Sequence, residues 1–466
     1  MLDFYGESYS TKALWAEAEA SLPPPMLVAP KTPGDRPMLA VVGPPPEPLP
    51  PPLVLDIPSH DHPKLDQLVR TLENSACTHE EAFTAYLELP SPGVSYLSSE
   101  ICRLLFRRLS VIEKKNRHAR MRYLRIMEDM HSCDLPLEEA EWNSAIAFCG
   151  QCFASDREVD TAVQIWSEME QDAGIKGGMV TFNILFDMFA KAGKFVYAER
   201  VLQEMEARKL SINRYARIGF IYYHGLKSDG DGVRKAYREF VEAGEIVDTV
   251  VMNCVVASLI RAGEPAAAEQ VYERMKLMLA KHTGKKFSSL SWRQTRDLGR
   301  TLDRAVRLLK DQPAKLQQLQ DEQFLAPNLH TYAIFVEHYA SEMGELRRVA
   351  ALLNEMQDLG VPMHGRIFLK VFKGFAKHGG IRYTSWTAGR LERVWKSLLE
   401  VLDQDTDVKV MKWMVIWSVR AFERCAGRER TLEIWAELRK RWKPSGDDEA
   451  AVFTVLRDTL KVEDGG

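Results

Sequence analysis

"TFNILFDMFAKAGKFVYAERVLQEMEARKL", residues 181–210, has the apolar spacing of two short helices joined by a Lys-Ala-Gly hinge, and its features return downstream. Asn183 recurs as Asn253, Lys191-Ala192-Gly193 as Arg261-Ala262-Gly263, Ala198 as Ala268, and Met205 as Met275, each 70 residues on. Polar, small and apolar positions held in one register over that distance mark an array of like units rather than a single enzyme domain. Halving the spacing of 70 gives units at 179–213, 214–248 and from 249, and "EFVEAGEIVD" closes the middle one where "QEMEARKLSIN" closes the one before.

Each unit is predicted to hold a first helix of about a dozen residues, a Gly-centred turn (Gly193, Gly263), and a second helix. That second helix carries Ala198, Leu202 and Met205, or Ala268, Tyr272 and Met275. Offsets of four and three put such residues on one helical stripe, and the small alanine admits a close neighbour. Two antiparallel helices of this size cannot bury both faces alone, so the units must stack. Related stripes appear at Ala162, Trp166 and Met169, while Leu329–His364 runs one residue over the period and "FAKHG" at 375–379 echoes "FAKAG" at 189–193. About eight hairpins are expected from Pro63 to the C-terminus, with the least regular at the ends as caps.

The chain of 466 residues, 45% hydrophobic and 27% charged, has a composition normal for a soluble folded protein and is long enough for two to four ordinary domains or one long array. No apolar run reaches the roughly 18 residues a membrane span needs. Seven scattered cysteines form no disulfide framework. Residues 23–58 hold 14 of the 23 prolines and read as an extended linker, behind a short helical segment at 1–22. The predicted order continues with degenerate hairpins at 63–138, regular repeats at 139–276, an inserted basic helical segment at 277–326, further hairpins at 327–443, and a polar tail at 444–466. The N-terminus shows no organellar presequence or secretory signal.

"VTFNILFDMFAKAGKFVYAERVLQEMEARKLSIN", with "PNLHTYAIF" and "DLGVPMH" at a later joint, resembles the pentatricopeptide repeat. The likeness is good over 139–276 and 327–380. It implies an all-α, right-handed α-solenoid of antiparallel helical hairpins, about 35 residues each. It also implies a non-catalytic protein that binds single-stranded organellar RNA, in mitochondrial RNA metabolism or translation. The same resemblance assigns base-edge contacts to Asn143, Asn183 and Asn253, with Ile218, Ala333 and Leu369 at the corresponding but silent positions. Gly178, Asn213, Asp248 and His364 take the unit-ending role, and Val180, Tyr215 and Val250 pack beside the base. An amide offers a donor and an acceptor to a Watson–Crick edge, which single strands leave open. The other reading of these asparagines is that they satisfy backbone groups near helix starts.

Three segments are locally basic: 100–125 with nine Lys/Arg against two Glu, 276–315 with eleven against three Asp, and 366–396 with eight against Glu392. They are candidates to neutralise phosphates. Within the insertion, Leu298, Leu302 and Leu309 share a face, so an RNA clamp, a docking surface for protein and a solvated spacer all remain open. Cys149-Gly150-Gln151-Cys152 has no second pair, His60-Asp61-His62 has no further ligand, and "SDGDG" at 228–232 has too few carboxylates for a calcium loop, so no metal, cofactor or catalytic role is expected. A protein-binding scaffold is the alternative, with respiratory-complex assembly proteins or the mitochondrial ribosome as partners.

Overall fold

The computed structural model describes residues 60–460 apart from 75–76, 113–115, 152–155, 282–289, 324, 405–409, 443 and 445, so the expected N-terminal segment and Pro-rich linker lie outside the described residues. Among the described residues every regular element is helical. The chain divides into two units, 1–192 and 193–466, and each is a stack of α-hairpins on the α-solenoid plan.

The first unit holds α1 (His62–Glu73), α2 (His79–Leu87), α3 (Ser99–Ser110), α4 (Arg117–Ser132), α5 (Glu139–Gln151), α6 (Asp156–Ser167) and α7 (Met179–Lys191). Helix starts are set by local chemistry: Thr78 and Glu81 form a reciprocal capping box, and Ser98 and Asn116 accept backbone N–H groups of α3 and α4. Consecutive helices then pack, α3 on α4, α4 on α5, and α5 on both α6 and α7. Leu105, Phe106, Tyr123, Ile126 and Phe148 fill the space between them.

The second unit begins with α8 (Phe195–Ala207), α9 (Arg214–Leu226), α10 (Gly230–Glu242), α11 (Thr249–Arg261) and α12 (Pro265–Lys281). The insertion supplies α13 (Trp292–Leu308) and α14 (Pro313–Glu322). Helices α15 (Leu329–Glu337), α16 (Leu346–Asp358), α17 (Gly365–His378), α18 (Ala388–Gln404), α19 (Lys412–Ala426), α20 (Arg428–Arg441) and α21 (Gly446–Leu460) follow. The first helices form one layer, because α9 packs on α11, α11 on α15, α15 on α17 and α17 on α19. The contact of α11 with α15 passes over the insertion, so the stack is continuous where the sequence period breaks. Residues 446–460, expected to be part of a polar tail, instead form a helix against α19 with Val452 and Leu456 buried.

The period is sharper in the backbone than in the side chains. Helices α7, α9 and α11 begin at 179, 214 and 249. The turn residues Gly193, Ser228 and Gly263, in that same 35-residue register, all adopt positive φ, at 69°, 55° and 81°. Between hairpins Lys209 and Gly244 do so too, at 53° and 75°. A side chain in this conformation costs about 1–2 kcal/mol, which the flanking hairpin must outweigh at Ser228 and Lys209. The extra residue of unit 329–364 is absorbed as a π-helical turn at His338–Met343, since one inserted residue widens a helical turn without breaking it.

The second-helix stripe shifts slightly from expectation. Ala198, Val201 and Met205 are the buried residues of α8, and Leu202 is half-buried. Their register mates Val233, Ala236 and Phe240 in α10 are buried, as are Ala268, Tyr272 and Met275 in α12. In α6 the stripe passes through Ala162 and Ile165 to Met169, with Trp166 half-buried.

Candidate nucleic-acid interface

The unit-ending residues are helix caps. Asn213 accepts from Ala216 N at 3.0 Å, Asp248 from Val251 N at 2.9 Å, and His364 Nδ1 from Arg366 N at 3.1 Å. Each satisfies a backbone donor that the first turn of its helix leaves open. Asp248 does more, since its second oxygen lies 2.9 Å from Nη2 of Arg214, a guanidinium only 1% exposed that also donates to Ile246 O and lies 5.3 Å from the Phe240 ring centre. A buried cation is tolerated only with such partners. His330, beside this family of caps, has its pKa lowered to about 4 by burial and by the neighbouring Arg366 and His364, so it is neutral at pH 7.

The amides face a similar demand. In the first unit Asn143 Nδ2 donates to Glu139 Oε1 at 3.2 Å, and that same oxygen accepts Gly178 N at 3.1 Å. In the second unit Asn253 Nδ2 donates to Asn328 Oδ1 at 3.1 Å and its Oδ1 accepts Thr331 Oγ at 2.7 Å. Each network ties the fifth residue of one first helix to the start of the next first helix, a structural use of the amide that needs no ligand. Asn183 is buried within the first unit and Asn213 lies in the second. Of the flanking positions Val180 is exposed, while Tyr215 and Val250 are half-buried. Ile218 is buried, and Ala333 and Leu369 are half-buried.

The insertion reaches this layer. A Cβ built on Gly299 of α13 would stand 3.5 Å from the Tyr215 hydroxyl, and Leu302 and Asp303 are buried. From α14, Gln320 accepts from Val247 N at 2.6 Å and donates to Val247 O at 3.0 Å, a two-point hold one residue before Asp248. Burial raises the Tyr215 phenol pKa, reinforced by Asp303. Glu245 is also pushed up by burial, which outweighs Arg214 and Arg217 held off at 4.0 Å. On α13 the residues Arg293, Arg296, Arg300, Arg304 and Arg307 follow offsets of three and four, so they form one stripe. All but the half-buried Arg296 are exposed. This pattern is legible in the sequence as cations at offsets of three and four beside the Leu298, Leu302 and Leu309 face.

The three basic segments differ in what they offer. In 100–125, Arg103 pairs with Glu138, Arg120 with Glu158 at 2.9 Å, Arg122 with Glu80 at 3.1 Å, and Arg108 donates to Leu72 O at 2.8 Å, so much of the charge is used locally. On α13 Arg307 pairs with Asp303 at 2.6 Å on its own helix. Among the described residues no cluster suited to a metal ion is present. Cys149 is buried and Cys152 lies outside the described residues. Asp229 of "SDGDG" caps α10 by accepting from Gly232 N at 2.8 Å, and Asp61 pairs with Lys64 at 2.5 Å. No helix of the described residues is long and apolar enough to cross a membrane.

Residues 154–275 match the family model described as pentatricopeptide repeat-containing protein. Two pentatricopeptide repeat-containing proteins of Arabidopsis thaliana are 25% identical over 109 residues and 24% over 101, covering 23% and 22% of this chain. The name of the second includes mitochondrial. The chain spans about a fifth of the length of these curated relatives, 21% and 20%. The crystal structure of the pentatricopeptide repeat protein PPR10 from maize aligns at 15% identity and TM-score 0.32, over 84% of this chain and 57% of its own. Yeast Rmd9p in complex with a 16-nt target RNA aligns at 10% identity and TM-score 0.41, over 87% and 95%. Residues 154–275 thus resemble the pentatricopeptide repeat in sequence, and helices α7, α9 and α11 within that stretch keep its 35-residue register.

Proposed function

We propose that the protein binds single-stranded RNA along its first-helix layer, without catalysis, and serves mitochondrial RNA metabolism or translation. The observation that carries this reading is the arginine stripe of α13, presented to solvent beside Tyr215 at the edge of that layer. Exposed guanidiniums in a row neutralise successive phosphates and release counterions, whereas the whole-chain charge of −3 gives no general attraction to nucleic acid. Asn183 and Asn213 are the proposed base-reading pair, joined by Asn143, Gly178, Val180, Tyr215, Asp248, Val250, Asn253 and His364. For the members already engaged in caps or amide networks, reading a base means exchanging a protein partner for a base edge.

The engagement of Asn143, Asp248 and Asn253 by protein groups favours a second reading, a scaffold whose first-helix layer serves assembly with respiratory-complex factors or the mitochondrial ribosome. Titration of the full chain with a labelled pyrimidine-containing single strand over a range of salt separates the two. RNA binding predicts a steep log–log fall of affinity with salt, reduced by about 3–4 when all five α13 arginines become alanine, at about 0.7 per lost phosphate contact. Salt-independent capture of a protein with no RNA retained would support the scaffold.

A further inference from the structure

Helices α17 and α19 are adjacent first helices and lie outside residues 154–275, the part that matches the family model. Their inward faces are ordinary core: Ile367, Phe368, Val371, Phe372 and Phe375 on α17, and Met414, Val415, Val419 and Phe422 on α19 are all buried. Their outward faces are not ordinary. On α17 the residues at offsets of four, three and four are Arg366, Lys370, Lys373 and Lys377, a stripe made entirely of cations. On α19 the same offsets give Trp413, Trp417, Arg420 and Arg424.

The two stripes are in contact. Lys373 Nζ lies 5.6 Å from the Trp417 ring centre, the Arg420 guanidinium 5.1 Å from the same ring, and Lys412 Nζ 5.6 Å from the Trp413 ring. The acidic groups on this surface are few: Glu337 of α15 meets both Lys370 and Lys373, and Asp448 of α21 meets Lys412 at 3.0 Å. Arg424 donates to Gly379 O at 2.9 Å. Both tryptophans are half-buried, so part of each side chain remains accessible.

We propose that this surface is a stacking platform for single-stranded RNA, with bases on Trp413 and Trp417 and phosphates on the α17 cations and Arg420. The inference rests on the RNA reading above and extends it to a second, sequence-tolerant contact. Residues four apart on a helix stand about 5–6 Å from each other, so the two rings serve neighbouring nucleotides of one strand. A base displaces a flexible lysine from an indole face, and the lysine then meets the phosphate that comes with the base. Every base has a π-face, so such a platform holds RNA without selecting sequence.

The test uses the full chain and a fluorescein-labelled 16-nt oligouridylate. Trp413→Leu with Trp417→Leu keeps apolar bulk and removes the aromatic faces, and it raises Kd by about tenfold or more, the scale of base–aromatic stacking. The salt slope of that variant stays at the wild-type value, because indoles release no counterions. Trp413→Phe with Trp417→Phe restores binding to within about threefold, which a merely structural role for the indoles does not explain. Arg366→Ala with Lys377→Ala does the converse, lowering the slope by about 1.4, or about 0.7 per phosphate. Ultraviolet crosslinking places oligouridylate on residues 412–426. A leucine double variant that melts like wild type and binds RNA equally well overturns the platform while leaving the RNA reading intact. A wild-type chain that binds no RNA at any salt overturns both.

Discussion

The first helices of α9 and α11 and those of α17 and α19 hold the same place in their hairpins and present opposite surfaces. The second, sixth, ninth and thirteenth residues of α11 are Val250, Cys254, Ala257 and Arg261, and nearly every face of that helix is buried or half-buried. The same positions in α17 are Arg366, Lys370, Lys373 and Lys377. Within residues 154–275 the first helices α9 and α11 are thus apolar and enclosed, with the insertion held against their ends, whereas α17 and α19 beyond that stretch carry the charged, aromatic surface. Helices α17 and α19 pack on each other as α9 and α11 do, so the buried stacking positions are kept in both regions while the outward positions differ.

The largest expected effect breaks the enclosed side of this comparison. Arg214→Ala leaves Asp248 and Glu245 buried without their guanidinium and removes a bond to Ile246 O, so it should lower unfolding free energy by about 3–5 kcal/mol in a denaturant titration. Met205→Asp, at a site 4% exposed, should be comparably severe, since it places a carboxylate in the second-helix stripe. An unchanged melt for either variant breaks the 35-residue register.

Next in size is the proposed division between structural and base-reading asparagines. Asn253→Ala removes one hydrogen bond from each of Thr331 and Asn328, which keep their bonds to each other, and should cost about 1–2 kcal/mol of stability with base preference unaltered. Asn183→Ala should instead cost about 1–3 kcal/mol of RNA binding at one base position. If Asn183→Ala changes only the melting temperature, base reading by that residue is wrong.

The smallest effect concerns the seam with the insertion. Burial lifts the Glu245 pKa above its ordinary 4.5, with Arg214 and Arg217 of α9 and Arg307 of α13 opposing and Asp303 of α13 reinforcing. A carboxyl whose folded pKa is raised binds its proton more tightly when folded, so stability falls as pH rises from 4.5 through the folded value. Glu245→Gln should flatten that part of the stability–pH curve, measured as denaturation midpoints across the window. A curve of the same slope in the variant assigns the effect to another group.

Sequence alone determined the helical class, the 35-residue period and the stacking stripe, because these rest on apolar spacing that survives any choice of outward residue. Ala198, Met205, Ala268 and Met275 are buried as that spacing requires. Tertiary structure decided the rest. Positive φ at Ser228 and Lys209 is imposed by the hairpins they join and has no glycine to announce it. The helix in the presumed tail forms because α19 offers Val452 and Leu456 a face to cover. Asn253 bonds to Thr331, 78 positions away, and Glu139, the local partner of Asn143, also accepts from Gly178 N 39 positions on; no local pattern records these distant partners. An amide can cap, bridge or read a base with the same atoms, and only the neighbours brought to it by packing select among those uses.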